Sequence, residues 1–422
     1  MRIRSIISSS LGNILEWYDF GLFAIYSPIF SQLFFPHTNP RIALIETLSI
    51  FAVGFLCRPI GALIFGYMGD KQGRSKTLRL SILMISLPTL FIGLLPTYYH
   101  IGIYAPILLM IVRVWQGISL GGEYSGNLIY LAESAPSKYR ATITAFAGTG
   151  ANLGILLASI VGGMTSYFFS DKLFMEWGWR IPYILSGIFC LFIYMTRLKM
   201  QETSAFEYIK KNRLIVANPI KTMFKFDMPF VLRTVGLVCM GSTFYYFCFI
   251  YVPLYLGSTL KLPLFQTTTL ISILMCCMII LVPLAGMICD YIGRRRMLLF
   301  NAIFVILVTI PGFVVMHLGY ANMALVTLVL YTIASSLEQG TTSVAVVENY
   351  PLSARYTGLS LGYNVGNGIF GGTVPIVSEW LVYKTHYMLA PAFYITFCAL
   401  ITTFVIFFFV KETKGTSLVN HC

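Results

Sequence analysis

The sequence predicts an all-α integral membrane protein whose twelve transmembrane helices form two six-helix bundles. The first observation is composition, since 57% of the 422 residues are hydrophobic and only 11% are charged. Soluble domains carry about 25% charged residues. The second is that apolar runs near the roughly 20 residues that a helix needs to cross a bilayer recur along the chain. The third is a repeat of charged positions in the two halves, described below.

The apolar runs and their breakers give the helices in order. The first six are expected near residues 11–35, 43–69, 77–96, 103–132, 141–169 and 180–198. The second six are expected near residues 229–257, 267–290, 296–316, 322–349, 355–383 and 389–410. A polar, basic linker separates the sets, and we interpret it as a cytoplasmic segment near anionic lipid headgroups, with a regulatory partner site as the alternative. The predicted units are residues 1–198, the linker 199–228, and residues 229–422.

The placement of positive charge gives the topology. Most of the 29 Lys and Arg residues fall in loops at one end of the predicted helices, which we call the basic face. The positive-inside rule places this face and both termini in the cytoplasm. A net charge of +13 would indicate a nucleic-acid partner in a soluble protein. Here membrane topology accounts for the charge, so no nucleic-acid partner is expected.

The two halves repeat their charged positions at a nearly constant offset. The stretch 113–140 returns as 328–355, and the loop 66–74 returns as 286–294. Single residues also recur: Glu338 answers Glu123 and Asn367 answers Asn152 at an offset of 215 residues, and Glu412 answers Glu202 at an offset of 210. Because both halves place these signatures at the basic face, the sequence predicts a parallel repeat about an axis along the membrane normal.

Charged residues at helix ends are candidates for a cytoplasmic gate. We expect one latch in each half, because Asp, Glu and Arg at neighbouring helix ends can pair. Such a network holds one side closed in one state and breaks in the other, and plain interfacial charge is the alternative reading. The first latch would join Asp70, Arg74, Glu133 and Arg140, and the second would join Asp290, Arg294, Glu348 and Arg355.

Acidic residues inside the helices are candidates for proton coupling. An ionisable group at membrane depth costs a few kcal/mol unless it has a partner or a wet cavity. The five histidines fall in outer loops or at the C-terminus, so a carboxylate must carry any proton. The candidates are Glu16, Asp19 and Glu123. Structural salt bridges are the alternative, with Arg113 expected to pair with Asp19 or Glu123.

A second group of inner residues is predicted to contact a substrate. Arg58 or Arg113 could anchor a carboxylate, and aromatic residues could offer ring faces to a cation. Lipid contact or helix packing is the alternative for each aromatic residue. The predicted substrate-binding residues are Tyr18, Arg58, Arg113, Gln116, Tyr245, Tyr246, Glu338 and Asn367.

These residues resemble a known family. The doubled Gly-Asp-Arg loops are similar to those of the major facilitator superfamily. Five stretches resemble its metabolite:proton symporters, which include proline/betaine, alpha-ketoglutarate, shikimate and citrate transporters: LEWYDFGLFA (15–24), RPIGALIFGYMGDKQGR (58–74), RVWQGISLGGEY (113–124), WGWRIPY (177–183) and ENYPLSARYTGLSLGYN (348–364). The resemblance implies that Asp19, Arg58, Arg113 and Glu123 are inner charged positions. It also implies that Asp70, Arg74 and Arg140 belong to the gate. Glu338 departs from the family pattern, so it is expected either to tune substrate choice or to be a second proton site.

The resemblance implies proton-coupled uptake of a small carboxylate-bearing metabolite by alternating access at a bacterial inner membrane. The stretch 367–381 is closer to the organic-acid members, so an organic acid is slightly favoured. An amino acid, proline or betaine is the alternative, and an efflux antiporter is the less favoured one. We expect a monomer in lipid that is not an enzyme, with no catalytic residues, no cofactor and no metal site.

Overall fold

The computed structural model describes residues 3–36, 39–258, 264–319, 321–352 and 354–418. Within these ranges all regular structure is helical, which confirms the predicted fold class. Ten helices of the described chain are long and apolar enough to cross a membrane. His37 and His421, which were predicted to lie in an outer loop and at the C-terminus, fall outside the described residues.

Twelve long helical segments follow the predicted order. The first half comprises α1 (Ile3–Phe34), α2 (Pro40–Gln72), α3 (Arg74–Leu94), α4 (Tyr104–Ser134), α5 (Arg140–Phe168) and α6 (Arg180–Arg197). The second half comprises α7 (Met228–Tyr246, continued by Phe247–Tyr251 and Val252–Ser258), α8 (Leu264–Ile292), α9 (Arg294–His317), α10 (Ala321–Glu348), α11 (Arg355–Val365, continued by Gly366–Gly371 and Val374–Thr385) and α12 (Ala390–Phe409). Short helical turns lie at Tyr98–Ile101, Ser137–Tyr139, Asp171–Leu173, Phe174–Gly178, Ser204–Lys211, Pro219–Thr222 and Met223–Asp227. The unit boundaries at residues 198 and 229 stay a prediction.

Helix α1 begins at Ile3 rather than near residue 11. The sequence predicts the later start because the serines at residues 8–10 interrupt the apolar pattern. In the structure Ser8 bonds Thr196 of α6 at 3.0 Å, and Ser9 donates to Asn127 of α4. These partners satisfy the hydroxyls of Ser8 and Ser9 inside the bundle, and the helix continues through the run.

The two halves meet along two related helix crossings, where α2 packs against α11 and α8 packs against α5. Glycines of the repeated loops allow the helices to pack closely at these crossings. A Cβ at Gly66 would lie 2.5 Å from the Cα of Thr357, and a Cβ at Gly286 would lie 2.8 Å from the carbonyl oxygen of Ala141. Larger side chains at these two positions would push the halves apart.

Candidate functional site

A small cavity lies between the two halves, about midway along the helices. Its volume is about 50 Å³, which is room for a few waters. Side chains must therefore move apart before a metabolite can enter. The lining comes from both halves and consists of Trp17, Tyr124, Ala151, Val238, Gly241, Ser242, Tyr245, Tyr246, Glu338, Gln339, Thr342, Ser343, Tyr363 and Asn367.

Five of these side chains form what we call the aromatic cage: Trp17, Tyr124, Tyr245, Tyr246 and Tyr363. Trp17 of α1 meets Tyr124 of α4 and Tyr245 of α7 edge to face, with ring centroids 6.1 and 6.5 Å apart. Tyr124 also stacks on Tyr363 of α11 at 4.9 Å, so the cage spans both halves. Aromatic faces attract cations, and an ammonium group that loses its water gains most from them.

Glu338 of α10 is the acidic group of the cavity wall. Its side chain is buried, with 8% of the residue exposed. Across the described chain, no Lys, Arg or His nitrogen lies within ion-pairing distance of its carboxylate. A Cβ at Gly241 of α7 would overlap this carboxylate, so glycine leaves the space that Glu338 occupies. When this carboxylate is ionised, it favours a cationic group in the cavity.

Amide side chains form a polar bridge beside the cage. Asn152 of α5 donates to Gln339 of α10 at 3.0 Å and accepts from the hydroxyl of Tyr245 at 3.2 Å. Asn367, the repeat partner of Asn152, also lines the cavity. These groups offer N–H donors to a carboxylate and connect the two halves across the cavity.

Two predicted substrate contacts, Arg113 and Gln116, bond to Asp19 within the first half and do not line the cavity. Arg113 donates to Asp19 at 3.2 Å and to Gln116 at 2.7 Å, and Gln116 donates to Asp19 at 2.9 Å. The guanidinium carbon of Arg113 also lies 3.6 Å from the ring centroid of Phe23. The pairing of Arg113 with Asp19 is one of the two that the sequence predicted. Tyr18 likewise packs inside the first half rather than on the cavity wall.

Arg58 is buried next to the cage and pairs with Glu16. Its guanidinium carbon lies 5.9 Å from the ring of Trp17, 5.2 Å from that of Phe20 and 5.3 Å from that of Phe55. Arg58 therefore packs against the ring of Trp17 and does not itself line the cavity.

Arg197 is a buried partner that sequence reasoning missed. Both of its terminal nitrogens donate to Glu123, and one also donates to the carbonyl oxygen of Leu78 at 2.6 Å. Ser81 adds a 2.5 Å hydrogen bond to the same carboxylate. Arg197 ends an apolar run, and a long basic side chain there is expected to extend to the interface. The spacing of residues along the chain contains no signal for its inward direction.

At the basic face the predicted latch residues come together, but two of the four arginines, Arg140 and Arg355, pair with the opposite half. We call these two the exchanged arginines. Glu133 accepts from Arg74 at 3.1 Å and from Arg355 of the other half at 3.3 Å. Glu348 accepts from Arg294 at 2.9 Å and from Arg140 of the other half at 2.6 Å.

The prediction that each latch stays within one half was therefore wrong. Arg140 and Arg355 begin α5 and α11, whose first turns lie at the contact between the halves. Their side chains consequently reach the carboxylate across that contact.

The two loop aspartates also bond across the halves. Asp70 accepts from the backbone N–H groups of Tyr356 and Thr357 at 3.1 and 2.9 Å, and from the Thr357 hydroxyl at 2.8 Å. Asp290 repeats the arrangement at the start of α5, with N–H donors at 3.0 and 2.9 Å. A carboxylate at a helix N-terminus satisfies free N–H groups and matches the positive end of the helix dipole.

The segment after α12 covers both exchanged arginines. The carbonyl oxygen of Thr416 accepts from Arg140 at 3.1 Å, and that of Leu418 accepts from Arg355 at 3.2 Å. Burial would raise the pKa of Glu412, but backbone N–H donors, those of Arg294 and Lys414 first, hold it below its usual value. The pKa of its repeat partner Glu202 is raised, because burial there outweighs the same kind of donors.

A third set of contacts closes the basic-face half of the interface between α4 and α11. Ser125 bonds Ser360 at 2.8 Å, and Asn364 donates to the carbonyl oxygen of Gly121 at 2.8 Å. The hydroxyl of Tyr356 donates to the carbonyl oxygen of Gly122 at 3.1 Å. These hydrogen bonds, the ion pairs and the helix caps together hold the two halves in contact below the cavity.

Comparisons with known proteins agree with this architecture. The family model of the Major Facilitator Superfamily matches residues 10–374. The chain is 34% identical to a putative proline/betaine transporter of Staphylococcus aureus (strain COL), over 98% of this chain and 90% of that protein. It is 32% identical to the proline/betaine transporter of Salmonella typhimurium, over 94% and 81%.

The fold is similar to that of the proton:xylose symporter XylE bound to 6-bromo-6-deoxy-D-glucose. The TM-score is 0.81 at 18% identity, over 99% of this chain and 97% of the other. At that identity the likeness shows the fold alone. The family match and the relatives above 30% identity agree with it, so the chain is a multi-pass membrane transporter, not an enzyme, and belongs to the major facilitator superfamily.

Proposed function

We propose that the chain is a proton-coupled symporter for a small zwitterion with a carboxylate and an ammonium group, such as proline or a betaine. The carrying observation is Glu338, a cavity carboxylate with no cationic partner in the described chain, next to the aromatic cage. The names of the relatives support the same substrates. An organic acid, slightly favoured by the sequence, is now the weaker reading, since its carboxylates would be repelled by Glu338.

The cavity suggests how a zwitterion binds. The ammonium or methylated ammonium group of the zwitterion lies against the rings of Tyr124 and Tyr363 and is neutralised by Glu338. Its carboxylate faces the amide groups of Asn367 and Gln339, which can donate hydrogen bonds. The two charges of the substrate are then each matched by a different part of the wall.

For proton coupling we propose Asp19 and Glu16. Each keeps one carboxylate oxygen, Oδ1 or Oε2, without a hydrogen-bond partner among the described residues. Glu123, by contrast, has both oxygens bonded by Arg197 and one of them also by Ser81. A proton adds most readily to an oxygen that is not already bonded, so Glu123 is better assigned to packing.

We propose that the basic face is cytoplasmic, in a bacterial inner membrane, with both termini on that side and the protein a monomer. The asymmetric charge supports this orientation. The contacts between the halves at that face then close the cytoplasmic gate, and breaking them exposes the cavity to the cytoplasm. Switching between the closed and the open gate exposes the cavity to one side of the membrane at a time, which is alternating access.

We expect Asp19→Asn and Glu16→Gln to abolish gradient-driven accumulation while substrate exchange across the membrane continues, because exchange requires no net proton movement. Glu123→Gln should lower thermal stability and leave coupling intact. Proteoliposomes assayed for accumulation and for counterflow separate these effects, with the exposed Asp171→Asn as the control. Full accumulation by both of the first two variants would contradict the assignment.

The gate also predicts an effect of Gly126→Ala. A Cβ at Gly126 would overlap the hydroxyl of Tyr356, so the variant should separate the halves at the basic face. A cysteine introduced at Ser360 should then be alkylated several-fold faster, as measured by mass spectrometry of that one position. Gly163→Ala is the matched control, because a Cβ there meets nothing within 4 Å. Equal alkylation rates in the two variants would contradict the close packing inferred for α4 and α11.

The substrate class is tested by uptake into proteoliposomes under an imposed inward proton gradient. Glycine betaine and proline should accumulate, and collapse of the gradient should stop accumulation. Alpha-ketoglutarate and citrate should neither accumulate nor compete. Accumulation of the organic acids without that of the zwitterions would overturn the proposal.

A further inference from the structure

A second cavity of about 540 Å³ opens at the basic face of the second half. It lies between the start of α7, the end of α10 and the segment that follows α12. It is separate from the central cavity, with which it shares no lining residue. Its lining includes the ion-pair residue Glu348 and the covering residue Thr416, so it borders the contacts that hold the halves together.

Two cations and two acids line this cavity, and the acids are engaged by groups of the protein. Glu348 is neutralised by Arg294 and Arg140, and Glu412 is held by backbone N–H groups. Arg233 and Lys411 have no acidic partner within ion-pairing distance in the described part of the chain. Glu348 is therefore paired with arginines and Glu412 keeps its charge among backbone N–H donors, while neither Arg233 nor Lys411 is used by these acids.

Arg233 is prepared for an anion. Its guanidinium carbon lies 5.0 Å from the ring centroid of Phe230, which also lines the cavity, and its Nε is buried without a hydrogen-bond partner among the described residues. A buried N–H donor without an acceptor lowers the stability of the fold, unless a ligand or a water molecule accepts its hydrogen bond. The planar guanidinium can bond two oxygens of a phosphate at once, and the ammonium of Lys411 adds a point charge.

The first half shows that the loop around Glu412 does not need Lys411. Glu202 bonds the backbone N–H groups of Arg74 and Ser75 as Glu412 bonds those of Arg294 and Arg295. The residue before Glu202 is Gln201, whereas the residue before Glu412 is Lys411. The same loop thus forms without a cation in one half, so Lys411 is not required to hold the loop.

We propose that this cavity binds a phosphate-bearing anion through Arg233 and Lys411. A phospholipid headgroup and a soluble phosphate are two sources of this chemistry. Leu232 and Phe408, which flank the two cations on α7 and α12, are 62% and 63% exposed, as acyl-chain contacts would require. The bound anion removes the repulsion between the cations and thereby stabilises the closed arrangement around Glu348.

The test uses the purified full-length chain and measures retained lipid by native mass spectrometry and thermal stability. Phosphatidylglycerol should be retained and should raise the melting temperature, whereas phosphatidylcholine, with no net charge, should do so less. The double variant Arg233→Gln/Lys411→Gln should retain about tenfold less phosphatidylglycerol, since each basic residue contributes several-fold to binding an anionic lipid. Lys221→Gln, a change at an exposed linker lysine outside the cavity, should behave as wild type.

Soluble inorganic phosphate and glycerol phosphate form the second arm. If they raise the melting temperature of wild type but not of the double variant, and phosphatidylglycerol adds nothing, the site is confirmed and its ligand is soluble. If the double variant folds poorly, Lys411→Gln alone, at an exposed position, gives the same comparison. Equal lipid retention and equal phosphate response in wild type and variants would overturn the proposal, whatever the transported substrate is.

Discussion

Glu338→Gln should reduce uptake of the zwitterion about 100-fold. The variant keeps the shape of the side chain but removes the charge that faces the substrate's ammonium group. Truncating one partner of a buried, hydrogen-bonded charge pair costs about 2–5 kcal/mol, or some 30- to 4000-fold in affinity. Initial rates of betaine and proline uptake over a range of concentrations measure this loss, which we expect mainly as a higher KM.

Two control variants separate charge from folding. Glu379→Gln changes an exposed acid on α11, away from the cavity, and should transport as wild type. Glu338→Asp keeps the charge on a shorter side chain and should retain part of the activity. Wild-type affinity for the zwitterions in Glu338→Gln would exclude this carboxylate from substrate binding.

The largest conformational change is expected from Arg140→Gln combined with Arg355→Gln. Glu133 and Glu348 keep Arg74 and Arg294 as partners in this variant, so each lost contact counts as one hydrogen bond to a charged group, which contributes about 1.5–3 kcal/mol. Both contacts from the opposite half are lost in this variant, so the population that is open at the basic face should rise by more than about 100-fold. Transport should slow, because the closed arrangement becomes rare.

Hydrogen–deuterium exchange reports this opening directly. The N–H groups of Tyr356 and Thr357 are bonded to Asp70, and they should exchange faster when the halves separate. Lys138→Gln, at an exposed residue next to α5, should leave their exchange unchanged. Unchanged exchange in the double variant, or an equal rise throughout the chain, would rule out a specific role for the exchanged arginines.

Much of this architecture follows from the sequence, because apolar length fixes the helices and the repeat fixes the gate residues. The repeat does not determine which half contains the carboxylate that each arginine bonds. Arg140 and Arg355 occupy matched positions, and a spacing pattern is the same whether a side chain bonds its own half or the other. The crossed pairing with Glu348 and Glu133 depends on how the halves are placed across the axis, and that is a tertiary property.

The cavity was predictable to a similar degree. Tyr245, Tyr246, Glu338 and Asn367 line it, as the sequence suggested. Arg113 does not, because helical periodicity gives the angle between two residues on one helix but not which neighbouring helix they face. Arg113 was expected to face a substrate, and in the structure it faces Asp19 within the first half.

In the proposed mechanism a zwitterion and a proton cross the membrane together. Because the substrate has no net charge, each cycle must then carry positive charge inward. Purified protein in proteoliposomes on a solid-supported membrane should give an inward positive current when glycine betaine or proline is added, and Asp19→Asn should abolish it. A current evoked by citrate or alpha-ketoglutarate, with none from either zwitterion, would contradict zwitterion–proton symport.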